Sequence, residues 1–266
     1  KFSVGNLQTL DDRPHQSAQQ AVQQFYQQQY SASRMTLVLV SADPLAEQQH
    51  LVEKYFQKLP ADLPPKSSLS HPLYLAEHLG IQLNIQPHKP TQRFVLSFAL
   101  PDIQPWYRFK LVSFLAHLLG DEGPGSLLST LKAKGWVNAM SAGGGIDGSN
   151  YKDFTLSFEL MPEGMQHQEH ILEESFSYLA MLKQQPFPQT LFNERQQLVQ
   201  WSFIYQENKA PLQLASDLAV NLQHYPTEDY VFGDYRMELP PPELYHQLLS
   251  YFNADNLRLM LIAPEV

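Results

Sequence analysis

Apolar residues recur at helical spacing near the start of the chain, where Ala18, Val22, Phe25 and Tyr26 fall on one stripe. Asp11-Asp12-Arg13-Pro14 supplies cap candidates and a first-turn proline, predicting a helix that runs to about residue 30. Residues 35–40 (Met-Thr-Leu-Val-Leu-Val) read as a buried strand. Asp43-Pro44 then caps a second helix, with its stripe through Leu45, Val52, Tyr55, Phe56 and Leu59. The pattern changes at residues 60–72, where prolines stiffen a stretch that has neither helical nor strand period.

Beyond that stretch, residues 81–86 alternate strictly, 94–100 are strongly strand-like, and 154–160 alternate again, predicting sheet strands with one face covered. Helical patterns follow at 105–119, 126–134, 167–183, 188–206, 211–222 and 241–252, before a closing strand at 257–263. These proportions predict an α+β fold of two layers, helices on a mostly antiparallel sheet. The division expected is a first block at residues 1–63, a linker at 64–79 and a complete domain at 80–266. The first block is too short to match the second as a domain, so it reads as the back end of a unit whose front is absent.

Composition narrows the function. With 266 residues, 43% of them hydrophobic and 17% charged, the chain can bury a real core. A net charge of −9 disfavours nucleic acid as a partner, because that affinity rests on cationic phosphate contacts. The absence of cysteine excludes a disulfide scaffold, a thiolate zinc site and a cysteine nucleophile. No apolar run approaches the roughly 20 residues of a spanning helix, so no membrane role is expected.

Two glycine-rich stretches are the candidate sites. In Gly120-Asp-Glu-Gly-Pro-Gly-Ser126, Ser126 can cap the next helix while the glycines permit positive-φ turns. There is no G-x-x-x-x-G-K-[ST], and Asp121 with Glu122 would repel a phosphate. A structural turn and a site for a cationic group, such as a peptide's amino terminus, both remain open. Met140-Ser-Ala-Gly-Gly-Gly-Ile-Asp-Gly148 follows Gly135-Trp136-Val137 and reads either as a hairpin loop or as a strand edge that lets another backbone approach. His167 and His170 can share a helix face, yet neither H-E-x-x-H nor H-x-x-E-H occurs, so a solvated helix start is expected there and no metal site. Tyr225, Tyr230, Phe232 and Tyr235 read as packing aromatics, because no basic residues interleave them.

The wording of these segments carries a resemblance. Gly120-Asp-Glu-Gly-Pro-Gly-Ser-Leu-Leu-Ser129, Lys134-Gly-Trp-Val-Asn138 and the glycines from Gly143 resemble the pitrilysin/insulinase family of zinc metallopeptidases, in particular its insulin-degrading branch. Phe2-Ser-Val-Gly-Asn6, Tyr30-Ser-Ala-Ser-Arg-Met35, Leu100-Pro-Asp102, Phe232-Gly-Asp-Tyr235 and residues 256–264 follow in the same order, so the similarity covers nearly the whole chain.

The resemblance implies a processing-peptidase-like fold, of the kind also found in LuxS/metallohydrolase-like domains. Four such domains form a closed chamber in which peptides are cut. It implies zinc in an intact parent, held upstream of Lys1, with no metal and no catalytic residue in this part. The chain would comprise the end of the first domain and the whole non-catalytic second domain, with peptide substrates and the remainder of the parent as partners. A substrate-anchoring exosite would be formed by Gly120, Asp121, Glu122 and Gly123 together with Met140, Ser141, Ala142, Gly143 and Gly144. The family usually has histidine where Asp121 stands, and its strand loop is about one residue shorter. Pitrilysin-like bacterial relatives are exported, which implies a periplasmic setting, with a cytoplasmic one as the alternative. A second reading is an inactive paralogue that serves as a structural or chaperone-like subunit. The oligomeric state is not legible.

Overall fold

The computed structural model describes residues 5–66, 70–148 and 150–266. In chain order its main elements are α1 (Ala18–Gln29), α2 (Leu45–Phe56), β1 (Ile81–Ile85), β2 (Arg93–Pro101), α3 (Leu111–Leu119), α4 (Leu127–Ala133), β3 (Val137–Asp147), β4 (Tyr151–Leu160), α5 (Gln168–Gln184), α6 (Gln189–Ile204), α7 (Pro211–His224), α8 (Pro242–Ser250) and β5 (Leu257–Ile262). Contacts divide the chain into two compact units, one of residues 1–67 with 207–231 and one of residues 68–206 with 232–266.

In the first unit, α1 starts at a capping box. Ser17 Oγ accepts the Gln20 amide while Gln20 Oε1 accepts the Ser17 amide. The cap expected at residues 11–14 therefore moves to Ser17. Asp12 still contributes, its Oδ1 accepting the Ala18 amide at 2.8 Å. Asp43 does not cap α2 with its side chain; Pro44 is the cap residue, and the Asp43 carboxylate accepts from Ser41 Oγ instead. Residues 35–40 form no ladder among the described residues, contrary to the expected buried strand, and Leu37 is half exposed. The first of them instead closes a 3-10 turn, the Met35 amide donating to the Ala32 carbonyl at 3.3 Å. The stripes of α1 and α2 bury no residue fully, and Phe25 and Tyr55 remain exposed.

In the second unit the five strands lie in the order β1-β5-β2-β4-β3. Among the described residues only β1 and β5 pair in parallel, so the sheet is mostly antiparallel, as expected. On one face Phe94, Leu96 and Phe98 of β2 stand opposite Phe158, Leu156 and Phe154 of β4, and opposite Leu261, Leu259 and Leu257 of β5. Helices α3, α4, α5, α6 and α8 deliver Leu115, Leu128, Ile171, Phe192 and Leu248 into the same buried cluster. These are the two layers of an α+β domain.

The other face of β2 is not open, as the alternation suggests. Val95 and Ser97 are buried there as well, and the Tyr74 hydroxyl reaches the Ser97 hydroxyl at 3.4 Å. The helix expected over 105–119 is broken: a 3-10 segment, Gln104–Phe109, ends at Lys110, which takes the left-handed conformation with φ 49° before α3 begins. Burial lowers the Lys110 pKa, while the charge of Asp234 raises it.

Candidate functional site: an open sheet edge beside a glycine loop

Residues 137–147 are one eleven-residue strand at the end of the sheet, and among the described residues β3 pairs only with β4. Of the two openings left by the sequence, hairpin loop or strand edge, the backbone adopts the edge. The ladder runs in register from Ala139↔Glu159 to Gly144↔Phe154. It then slips by one residue before Asp147↔Lys152, a β-bulge.

Small residues let the glycine loop reach this strand. A methyl at Gly120 would lie 2.8 Å from the Ala116 carbonyl oxygen and 3.7 Å from the Ala142 Cβ. One at Gly143 would meet the Ala116 Cβ at 4.0 Å. The structure thus brings Gly120 beside Ala142, with Gly143 against Ala116 of α3. Met140 and Ala142 point to the helix side and pack against the core, whereas Ser141 and Gly144 are exposed. The Lys152 side chain lies across Gly144, its Cε 2.4 Å from where a Cβ would stand.

Asp121 and Glu122, which follow α3, are both exposed. Asp121 folds back so that its Oδ2 would be 3.3 Å from a methyl at Gly123. Tyr178 on α5 stands near enough for this charge to matter: burial raises its pKa first, and the negative Asp121 raises it further. Sequence spacing could not reveal Tyr178, because it reaches the loop only through the packing of α5.

Ser126 closes the loop as expected. It is buried, its Oγ accepts the Ser129 amide at 3.1 Å, and its carbonyl accepts the hydroxyls of Ser129 and Thr130. Ser126→Ala is expected to cost about 1 kcal/mol. The thermal midpoint checks it, and an unchanged midpoint would show that the cap contributes nothing.

The histidine pair is not simply solvated. The His167 ring stacks on Trp136 with centroids 4.7 Å apart, and His170 lies 5.7 Å from the same indole. Lys134 Nζ sits 4.7 Å over that indole and pairs with Glu174. The arrangement braces the entry to β3. No group of three or more His, Asp or Glu able to hold a metal exists among the described residues. His167 Nε2 meets the Glu163 carboxylate at 3.3 Å, and the pair joins no zinc ligand set among the described residues. Phe232 and Tyr235 pack on Phe203 at 4.9 and 5.2 Å, the packing role expected of them.

A helix-backed, mostly antiparallel sheet with an open glycine-rich edge defines a two-layer α+β domain. A family model described as the peptidase M16 inactive domain matches residues 18–199, and one described as the middle or third domain of peptidase M16 matches residues 203–266. The chain belongs to the peptidase M16 family.

Among similar proteins, the insulin-degrading enzyme of Homo sapiens is 30% identical over 99% of this chain and 26% of its own length. Nardilysin of Rattus norvegicus is 29% identical over 99% of this chain and 23% of its own. The chain spans about a quarter of the length of these relatives. A crystal structure of pitrilysin superposes with a TM-score of 0.88 at 24% identity, covering 99% of this chain and 28% of that one. The first half of the periplasmic protease PqqL from Escherichia coli gives 0.64 at 16% identity, covering 93% of this chain and 55% of that one.

Proposed function

We propose that this chain is the peptide-anchoring part of a zinc-dependent metalloendopeptidase that degrades peptides in an enclosed chamber. The zinc and the residues that cleave belong to the rest of the parent, and the domain here forms chamber wall. The division proposed is residues 1–63 from the end of the catalytic-type domain, a linker at 64–79 and the non-catalytic domain at 80–266.

One observation carries the reading: the glycine-rich strand β3 is the edge of its sheet, and the carboxylate loop at Gly120 stands beside it. Edge amides and carbonyls accept an added strand without reading its side chains. A carboxylate at Glu122 can then pair with the peptide's α-ammonium, a charge-assisted contact that sets its direction. Holding one end shrinks the volume that the mobile remainder searches, which raises its effective concentration at a distant reaction centre.

A periplasmic location belongs to the same reading. It draws support from the cysteine-free composition and from a similar structure described as a periplasmic protease. An export signal in the parent's coding sequence, or its absence, decides the point.

The test measures binding of a C-terminally labelled, unstructured peptide by fluorescence anisotropy, with its amino terminus free or acetylated. Glu122→Ala is expected to weaken the free peptide by about two- to fivefold, the scale of an exposed ion pair, and to leave the acetylated one nearly unchanged. Equal effects on both peptides would remove the anchor role.

A further inference from the structure

The bulge in β3 has an unusual fastening. Where the ladder slips, the Gly145 amide donates to the side chain of Asp153, with Oδ1 at 2.9 Å. Asp153 is 4% exposed and sits on β4 opposite Ala99 of the central strand β2. Its Oδ2 takes two long hydrogen bonds, from the Ser97 hydroxyl at 3.5 Å and the Tyr74 hydroxyl at 3.4 Å. Arg258 of β5 lies 5.0 Å over the Tyr74 ring. One buried carboxylate therefore joins the glycine edge, the sheet centre and the segment before β1.

The fit is reciprocal. A methyl at Gly145 would lie 2.8 Å from Asp153 Oδ1, so the carboxylate stands where a side chain would push it aside. Glycine runs are soft, because each residue has many accessible backbone states. A strand with three consecutive glycines, Gly143 to Gly145, makes a poorly defined template unless something holds it. A charge-assisted bond from a buried acceptor supplies that hold where the ladder slips.

We infer that Asp153 is a positioning residue for peptide addition: by clamping Gly145 it fixes the bulge that ends the regular edge of β3, and so sets the shape of the template. The inference rests on the proposed reading of β3 as a peptide-binding edge. Asp153 itself does not touch the peptide.

The experiment uses the whole chain and the same free-amino peptide, together with amide hydrogen exchange at Gly145. Asp153→Ala is expected to weaken the peptide about tenfold and to speed Gly145 exchange, whereas Asp153→Asn, which keeps an acceptor oxygen, should stay within about threefold on both readouts. A general loss of structure would not be rescued by asparagine. Wild-type affinity and wild-type exchange in Asp153→Ala would overturn the inference.

Should Asp153→Ala fail to fold, Gly145→Ala on the exposed strand takes its place. It is expected to weaken binding, with part of the loss recovered when Asp153→Ser removes the clash; additive losses would count against the clamp. If the wild-type chain binds no peptide, the edge reading fails. Exchange at Gly145 then decides the clamp alone: faster in Asp153→Ala supports it, and unchanged sinks it.

Discussion

Replacing Gly164 with alanine is expected to destabilise the second unit by about 3 kcal/mol or more, beyond the usual range for a surface turn. An added Cβ would lie 2.0 Å from the Trp136 carbonyl oxygen, 2.9 Å from its carbonyl carbon and 3.2 Å from its Cα. All three are backbone atoms, so no flexible side chain can swing away. The carbonyl is also committed, accepting the Met161 amide at 2.9 Å. Two chain segments cross here. One enters β3 through Trp136, and the other leaves β4 and turns through Gly164–Gln166 into α5. Separating them by the needed ångström would also disturb the stacking of His167 on Trp136. Denaturant melts of the wild type and Gly164→Ala test this, and equal midpoints would show that the crossing is looser than drawn.

Phe114→Ala is expected to cost about 3–5 kcal/mol, the range for emptying a fully buried aromatic site. Phe114 is 0% exposed on α3. Its ring meets Phe192 of α6 edge-on at 5.0 Å, Phe187 at 5.7 Å and Tyr245 of α8 at 6.5 Å. Removing it opens a cavity where three helical segments converge, and rigid neighbours collapse into such a space only partly. Phe114→Leu keeps much of the volume and should lose clearly less. Urea titrations at unchanged m-value provide the comparison. A loss below about 1 kcal/mol in the alanine variant would mean that the aromatic cluster repacks freely.

Much of the second unit is legible in the sequence. Residues 94–100 and 154–160 are read as strands because every second side chain is large and apolar, and those are the residues that face the helices as Phe94, Leu96, Phe98, Phe154 and Phe158. Ser126 was legible as a cap because its hydroxyl acts within one turn.

The errors have local and long-range causes. Residues 35–40 have strand composition, but composition cannot supply a pairing partner. Asp12 and Asp43 looked like caps, while the S-x-x-Q pattern at Ser17 made the stronger local arrangement. The break at Lys110 interrupts a stretch whose period looks continuous, because a single left-handed residue leaves the apolar spacing on either side intact. The histidine pair reads as solvated because its stacking partner, Trp136, lies thirty-one residues earlier than His167 in the chain.

The amino-acid order alone determined the class of fold, the helix-forming and strand-forming stretches and the two glycine-rich segments, because those follow from side-chain period and local backbone preference. Tertiary structure alone decided that the glycines of 143–145 lie on an open edge, that Gly120 comes to rest against Ala142, and that Asp153 fastens Gly145. Each of these depends on which strand ends up outermost and which side chains meet across the sheet. Pairing between distant segments is set by the packing of the whole core, and no local spacing encodes it.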